Sequence, residues 1–258
     1  LSLYRDLTYA QPATDLVVWP ETAVPVLQSQ GQYFVDGIAA NLAKRGSTLI
    51  TGIPVDDMQP AGMKIYNGIM VGGSEPQSEY LKQKLVPFGE FVPMEELLRG
   101  LIDFFNLPMS SFSRGPADQG PLLAAGYRLA PLICYEAVYP DFAARQAAQS
   151  DLLITISNDS WFGSSIGPLQ HLQMAQMRAI ESQRWMIRAT NNGVTALIDE
   201  QGRIRQRIAQ FQQEVLLGEV QPMQGLTPYL RWQSAPLMAL VVLVLLVTGL
   251  RRRRQNTR

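Results

Sequence analysis

Eight short apolar runs rich in β-branched residues alternate with helical patterns along this chain, and that alternation restricts its fold most. The runs fall at 15–19, 48–53, 66–71, 129–134, 152–156, 186–190, 195–199 and 215–220. Each suits a buried strand and is too short for an ordinary helix. Helical patterns occupy 31–45, 140–149 and 170–183. Strands interleaved with helices predict an α/β domain whose sheet faces are both covered. The chain has 258 residues, 47% of them hydrophobic, which is enough material for such a core. Three runs end in polar or Pro/Gly turns, at Trp19-Pro20-Glu21, Cys134-Tyr135-Glu136 and Ser157-Asn158-Asp159. In α/β folds those turns are where chemistry is expected. The stretch 91–120 is different. It mixes Leu97, Leu98, Leu101, Ile102, Phe104 and Phe105 with Pro and Ser, and is expected to form an apolar arm outside the core.

The C-terminal end carries a second constraint. From 232 to 250 there is no charged residue, and Arg251, Arg252, Arg253 and Arg254 follow at once. As a helix those residues would span roughly 28 Å, at about 1.5 Å each. A bilayer core is about 30 Å thick. Arg231 and Trp232 flank the other end as interfacial anchors would. A transmembrane helix is therefore expected, because a buried helix gives no reason for the arginine flank and a surface helix would need a polar face. The positive-inside bias puts the arginine tail in the cytoplasm and the preceding residues on the opposite face, the periplasm in a bacterium.

Formal charge is balanced, with 22 basic and 22 acidic residues. Five of the arginines lie in the last eight residues, so the body holds 17 basic against 22 acidic. A mildly acidic body with no basic, aromatic-interleaved patch excludes nucleic acid as a partner. The chain opens on Leu1 with no charged-then-apolar leader, and is expected to be a piece of a longer protein.

There is one cysteine, Cys134, and one histidine, His171. A lone thiol is either a small buried hydrophobe or a nucleophile. His171 falls on a helical pattern with no Asn or Asp partner at an obvious spacing, so it is read as structural or capping. One cysteine and one histidine do not build a typical zinc site, and neither metal nor cofactor is expected. Any base for Cys134 must then come from elsewhere. Glu21 follows a strand, Lys82 and its neighbour Lys84 sit in a loop, and Cys134 ends a strand.

Strand–Glu, loop–Lys and strand–Cys in that order resemble the nitrilase (carbon–nitrogen hydrolase) superfamily and its Glu-Lys-Cys triad. The stretches Val18-Trp-Pro-Glu-Thr-Ala23, Leu85-Val-Pro-Phe-Gly-Glu-Phe-Val-Pro93, Ile133-Cys-Tyr-Glu136 and Ser157-Asn-Asp-Ser-Trp-Phe-Gly163 carry the likeness, as does Gly167-Pro-Leu-Gln-His171. Within the superfamily the match is closest to the membrane-bound branch that acylates lipoproteins. The resemblance implies an αββα four-layer sandwich over 1–230, a transmembrane helix over 231–251 and a basic cytoplasmic tail over 252–258. It assigns Glu21 as general base, Lys82 as the lysine (Tyr80 sets the register that favours it over Lys84) and Cys134 as nucleophile. Glu90, Tyr135 and Glu136 match supporting residues, the two acids as orienters of Lys82 and its loop. A tryptophan upstream of the glutamate and an N-terminal bundle of membrane helices also belong to that branch, and would lie before Leu1.

The implied reaction is ping-pong transfer of a fatty acyl group, from a phospholipid through a thioester on Cys134 to the N-terminal amine of a diacylated lipoprotein. The implied location is the bacterial inner membrane. Two other readings remain open on the residues: a membrane-tethered amide hydrolase, and an inactive module that binds lipoproteins or scaffolds a complex.

Overall fold

The computed structural model describes residues 1–60, 62–73, 78–91 and 112–256, with backbone alone at 250, 251 and 253–256. Most of the expected arm, 92–111 with Leu97 to Phe105, lies outside the described residues.

The described strands form two sheets. The first runs β1 (Leu16–Val18), β2 (Thr48–Gln59), β3 (Gly62–Gly72), β4 (Glu79–Leu81) in that order. The second runs β10 (Ile204–Ile208), β9 (Thr195–Ile198), β8 (Met186–Thr190), β7 (Leu152–Ser157), β6 (Tyr127–Ile133), β5 (Leu122–Ala124). Period-two alternation sorts the first sheet's side chains by face. Ile50, Ile69 and Val71 join a cluster with Leu129, Leu132, Ile154 and Ala196 of the second sheet. Leu49, Ile53 and Met70 turn the other way, against Val35, Ile38 and Leu42 of helix α2 (Gln28–Ala43). Helices α3 (Pro140–Ala147) and α4 (Gly167–Ser182) cover the second sheet through Phe142, Ala147, Leu172 and Ala179. The layers are thus helix, sheet, sheet, helix.

Seven of the eight expected strands are present, β2 and β3 longer than expected because their far ends pair as a two-stranded ribbon. The eighth is not. Residues 215–220 form no strand; Val215 and Leu217 are exposed, and Gly218 packs against Gln206 and Leu197 at the sheet's β10 edge. Strands β4, β5 and β10 and helices α1 (Ser2–Tyr9) and α5 (Pro228–Trp232) were not expected.

Helix α6 (Ala235–Asn256) occupies the uncharged C-terminal segment. Its side chains from Leu237 to Val247 are exposed, with no polar face turned outward. Among the described residues no helix is long and apolar enough to cross a membrane. The described side chains of α6 up to Gly249 cover only about 22 Å at about 1.5 Å per residue.

Two features of this frame bring the polar turns together. β6, β7 and β8 are parallel and in register, Ile133 beside Ile156 and Ser157 beside Thr190, so Cys134, Asn158 and Asn191 emerge side by side at one edge. Opposite them, the Pro20–Thr22 turn lies flat on β2 because Gly52 has no side chain. A Cβ there would come within 2.6 Å of the Pro20 carbonyl and the Thr22 nitrogen. Gly52→Ala is expected to cost about 1–3 kcal/mol by overpacking, read by denaturant unfolding.

Candidate active site

Glu21, Lys82 and Glu90 meet between the sheets, all buried. Lys82 Nζ donates to Glu90 Oε1 at 2.8 Å and to Glu21 Oε1 at 3.3 Å. Asn67, an inward-facing residue of β3, donates through Nδ2 to the same two oxygens, 2.7 Å from that of Glu21 and 2.9 Å from that of Glu90. The second oxygen of each acid takes a backbone N–H: Asn158 gives to Glu21 at 2.6 Å and Val86 to Glu90 at 2.9 Å. Asn191 Nδ2 holds the Glu21 carbonyl at 2.8 Å, and the Tyr4 hydroxyl holds Asn191 in turn. The glutamate on one sheet is therefore clamped by strand ends of the other. Burial alone would lower the Lys82 pKa. Glu21, then Cys134 and Glu90, more than reverse that, and the ammonium is held above its ordinary value. Lys84 lies elsewhere, its Nζ 5.6 Å from the centre of the Tyr139 ring.

Cys134 follows β6 in a left-handed backbone conformation, φ 48°, that L-residues other than Gly, Asn and Asp seldom adopt. It opens a short 3₁₀ turn, Cys134–Val138. Burial, then Glu21, push its thiol up to about 12, against the opposing pull of Lys82 and Ser157. The thiol is therefore protonated at neutral pH and needs a base at the moment of attack. Tyr135, next in the turn, is half-buried and packs edge-on against Tyr139, ring centres 5.2 Å apart.

Glu136 is fully buried and accepts four hydrogen bonds. Oε1 takes the Tyr80 hydroxyl at 2.8 Å and the N–H groups of Gln83 and Lys84 at 2.7 and 3.1 Å. Oε2 takes the N–H of Ile133 at 2.8 Å. One side chain thus ties the loop after Lys82 to the strand end before Cys134. Burial outweighs those donors and carries its carboxyl up to about 7.

The expectation that His171 lacks an acidic partner is corrected here. Asp159, twelve residues earlier, lies 3.1 Å from Nδ1, and Nε2 lies 2.9 Å from the carbonyl of Cys134. Arg188 completes the group, with Nη2 2.8 Å from Asp159 Oδ2. Burial would raise the Asp159 pKa, but the hydrogen bond from His171 and the charge of Arg188 hold it below the usual carboxylate value. A sulfur of Cys134, an oxygen of Asp159 and a ring nitrogen of His171 fall within 4.8 Å of one another, a spacing that could suit a metal. Both Asp159 oxygens and both His171 nitrogens already have partners, however, and a guanidinium sits on the carboxylate, so the trio reads as a hydrogen-bond network.

Asn67, Arg188 and Asn191 were not singled out from the sequence, and Asp159 was named only as part of the Ser157-Asn158-Asp159 turn, with no role of its own. Asn67 and Arg188 did carry a signal, since each is a polar residue within a mostly apolar run and such groups are buried only with partners. Beside the site, Trp161, Phe162 and Ile166 follow Asp159 and are exposed, as is Phe88 in the loop after Lys82.

The sequence profile of the carbon–nitrogen hydrolase family matches residues 4–228. The chain belongs to this family. Among solved carbon–nitrogen hydrolases, a superfamily protein from Xanthomonas campestris with an arsenic adduct in its active site superimposes with a TM-score of 0.61 at 18% identity, over 93% of this chain and 90% of that one. A carbon–nitrogen hydrolase from Helicobacter pylori gives 0.59 at 16% identity, over 81% and 78%. At that identity the likeness shows the fold, the α/β sandwich of the nitrilase superfamily. Curated relatives are far closer in sequence. Apolipoprotein N-acyltransferase of Pseudomonas putida is 64% identical over 95% of this chain and 48% of its own length. The enzyme of that name from Vibrio cholerae is 43% identical over 91% and 48%. The chain spans about half the length of these relatives.

Proposed function

We propose that this chain is the catalytic part of an apolipoprotein N-acyltransferase, which moves a fatty acyl group from a phospholipid through a thioester on Cys134 to the N-terminal amine of a diacylglyceryl-cysteine lipoprotein. The observation that carries the reading is the buried Glu21–Lys82 pair beside the Cys134 thiol, which stands on a left-handed turn at the end of β6. Glu21 takes the thiol proton as Sγ bonds to the ester carbonyl carbon. Lys82 and the backbone N–H of Tyr135 stabilise the oxyanion, commonly the largest contribution in acyl transfer. As the carbon–oxygen ester bond breaks, Glu21 returns the proton to the departing lysophospholipid. The lipoprotein amine then attacks the thioester, Glu21 accepts its proton, and the sulfur is released as thiol once that proton is passed back. Glu90 and Glu136 orient Lys82 and its loop. No step calls for a metal or cofactor.

Acyl transfer to an apolipoprotein is what the names of the close relatives state, and the exposed Trp161, Phe162, Ile166 and Phe88 beside the site support a lipid as donor. We assign 1–230 to the catalytic domain, 231–251 to a transmembrane anchor and 252–258 to a cytoplasmic tail. The exposed aliphatic surface of α6 and the arginines that follow Leu250 support the anchor. On that reading the catalytic domain faces the periplasm from the inner membrane.

The test is intact-protein mass spectrometry of the full-length protein in phospholipid vesicles, beside Cys134→Ala. The expected result is a fatty-acyl adduct on the native protein, absent from the variant and discharged by a diacylated lipopeptide. Turnover of a short-chain amide with no acyl adduct would instead favour an amide hydrolase, the activity of the structurally similar Nesterenkonia amidase.

A further inference from the structure

We propose that His171 is a positioning residue: clamped by Asp159 and Arg188, its Nε2–H anchors the Cys134 carbonyl and holds the left-handed turn that aims the thiol at Glu21 and Lys82. The inference rests on reading Cys134 as the nucleophile.

A carbonyl oxygen only accepts, so at 2.9 Å from it Nε2 must carry the hydrogen. Nδ1 lies 3.1 Å from Asp159 Oδ1 and 3.2 Å from Arg188 Nη2: carrying a hydrogen it donates to Asp159, without one it accepts from Arg188, and in either state it is engaged. With both nitrogens committed, the ring is not free to take the thiol proton, although one of them lies within 4.8 Å of the sulfur. What the ring can do is fix a peptide. Cys134 sits at φ 48°, where the backbone resists staying unless its surroundings over-determine it. Its chain neighbour Ile133 is tied through its N–H to Glu136, and its own carbonyl is tied to His171, so the turn is pinned on both sides of the thiol.

The clamp behind the ring is built in depth. Asp159 Oδ1 also takes the Ser157 hydroxyl at 2.6 Å, and Oδ2 takes Arg188 Nη2. Arg188 reaches the Val194 carbonyl through Nε at 3.2 Å. Its Nη1 has no partner among the described residues despite full burial, so the arginine is held here at some cost to the fold. Gly193 leaves the space for this arrangement, since a Cβ there would overlap the Asp159 carboxylate. Residues from β7, β8, the loop after β8 and α4 thereby converge on one backbone oxygen at the end of β6.

The experiment compares native protein, His171→Gln and His171→Phe, full-length and in phospholipid vesicles. Glutamine keeps a donor of similar reach and cannot act as a base, whereas phenylalanine keeps the ring volume and donates nothing. Two rates are read: acyl-thioester formation against lipid concentration, and alkylation of Cys134 by iodoacetamide without added acceptor. His171→Phe is expected to slow acylation at saturating lipid about 100-fold, with half-saturation unchanged, and alkylation about tenfold. His171→Gln should restore both to within about fivefold of native. Equal loss in both variants would make the ring a base, and native rates in His171→Phe would make it structural only; either outcome overturns the proposal. Should His171→Phe fail to fold, Gly193→Ala displaces the clamp from outside, and native rates in that variant would overturn it as well. Absence of any acyl adduct on native protein would count against the acyltransferase reading alone, because the alkylation rates still judge the positioning.

Discussion

Replacing Lys82 with methionine is expected to destabilise the fold by about 3–5 kcal/mol at neutral pH and to lower acyl-thioester formation by about 10³-fold or more. The stability loss comes from the groups left behind. Glu21 and Glu90 both direct Oε1 at Lys82 Nζ and share Asn67 Nδ2 as the other donor to that oxygen, each Oε2 takes only a neutral backbone N–H, and both acids are buried. Without the ammonium they face each other as uncompensated like charges. The native protein carries a pH signature at the alkaline end of the scale. Its Lys82 pKa is raised, so the stability this group contributes is fully present below the ordinary lysine value of about 10.4 and is lost only as the pH rises through the higher folded value. Denaturant unfolding of both proteins across pH measures the neutral-pH loss and the alkaline signature. A Lys82→Met protein as stable as native at neutral pH would mean that the pair contributes nothing net, as some buried ion pairs do.

Glu136→Gln should lose about 1–3 kcal/mol of stability, and about 100-fold in acyl-thioester formation. Both carboxylate oxygens receive donors, three on one and one on the other, so an amide nitrogen in either orientation confronts at least one N–H. The activity loss arises because the same side chain anchors the Lys82 loop and the strand end before Cys134. A pH signature separates this from general damage. The folded Glu136 carboxyl stands at about 7, above its unfolded value of about 4.3. A raised acid favours the protonated fold, so its contribution is whole below about pH 4.3 and falls away as the pH climbs to about 7. Glutamine does not titrate. The native protein should therefore lose stability across that window in a way the variant does not, and parallel stability–pH curves would show that Glu136 is not the group responsible.

Much of the frame is legible because buried strands advertise themselves: β2, β3, β6, β7, β8 and β9 are apolar and β-branched, and their neighbours are helical. The failures share a cause. The run 215–220 has strand composition, but its backbone found no ladder; Val215 and Leu217 stay exposed, and Leu216 and Val220 are half-buried without strand pairing. β10 has the ladder and the wrong composition, because an edge strand bearing Arg205, Gln206 and Arg207 needs only one buried face. Pairing, which local sequence does not encode, decided both cases. At the site, the types and order of Glu21, Lys82 and Cys134 point to a triad through a family likeness. The hydrogen-bond shell does not follow from it. Asp159 and His171 lie on different elements, and their meeting depends on how α4 lies across the ends of β6 and β7. Arg188 signals burial with a partner, as a charged residue in an apolar strand, but nothing local names Asp159 as that partner.

The left-handed backbone at Cys134 also bears on how this site ages under mutation. Glycine would sit at φ 48° without strain, whereas the cysteine side chain there costs the fold about 1–2 kcal/mol. A chain freed from selection on its chemistry would thus grow more stable by exchanging its only thiol for glycine. Decay of the catalytic function and consolidation of the fold run in the same direction at this one position, so thermostability is an unsafe criterion for choosing among homologues or library variants that are meant to stay active.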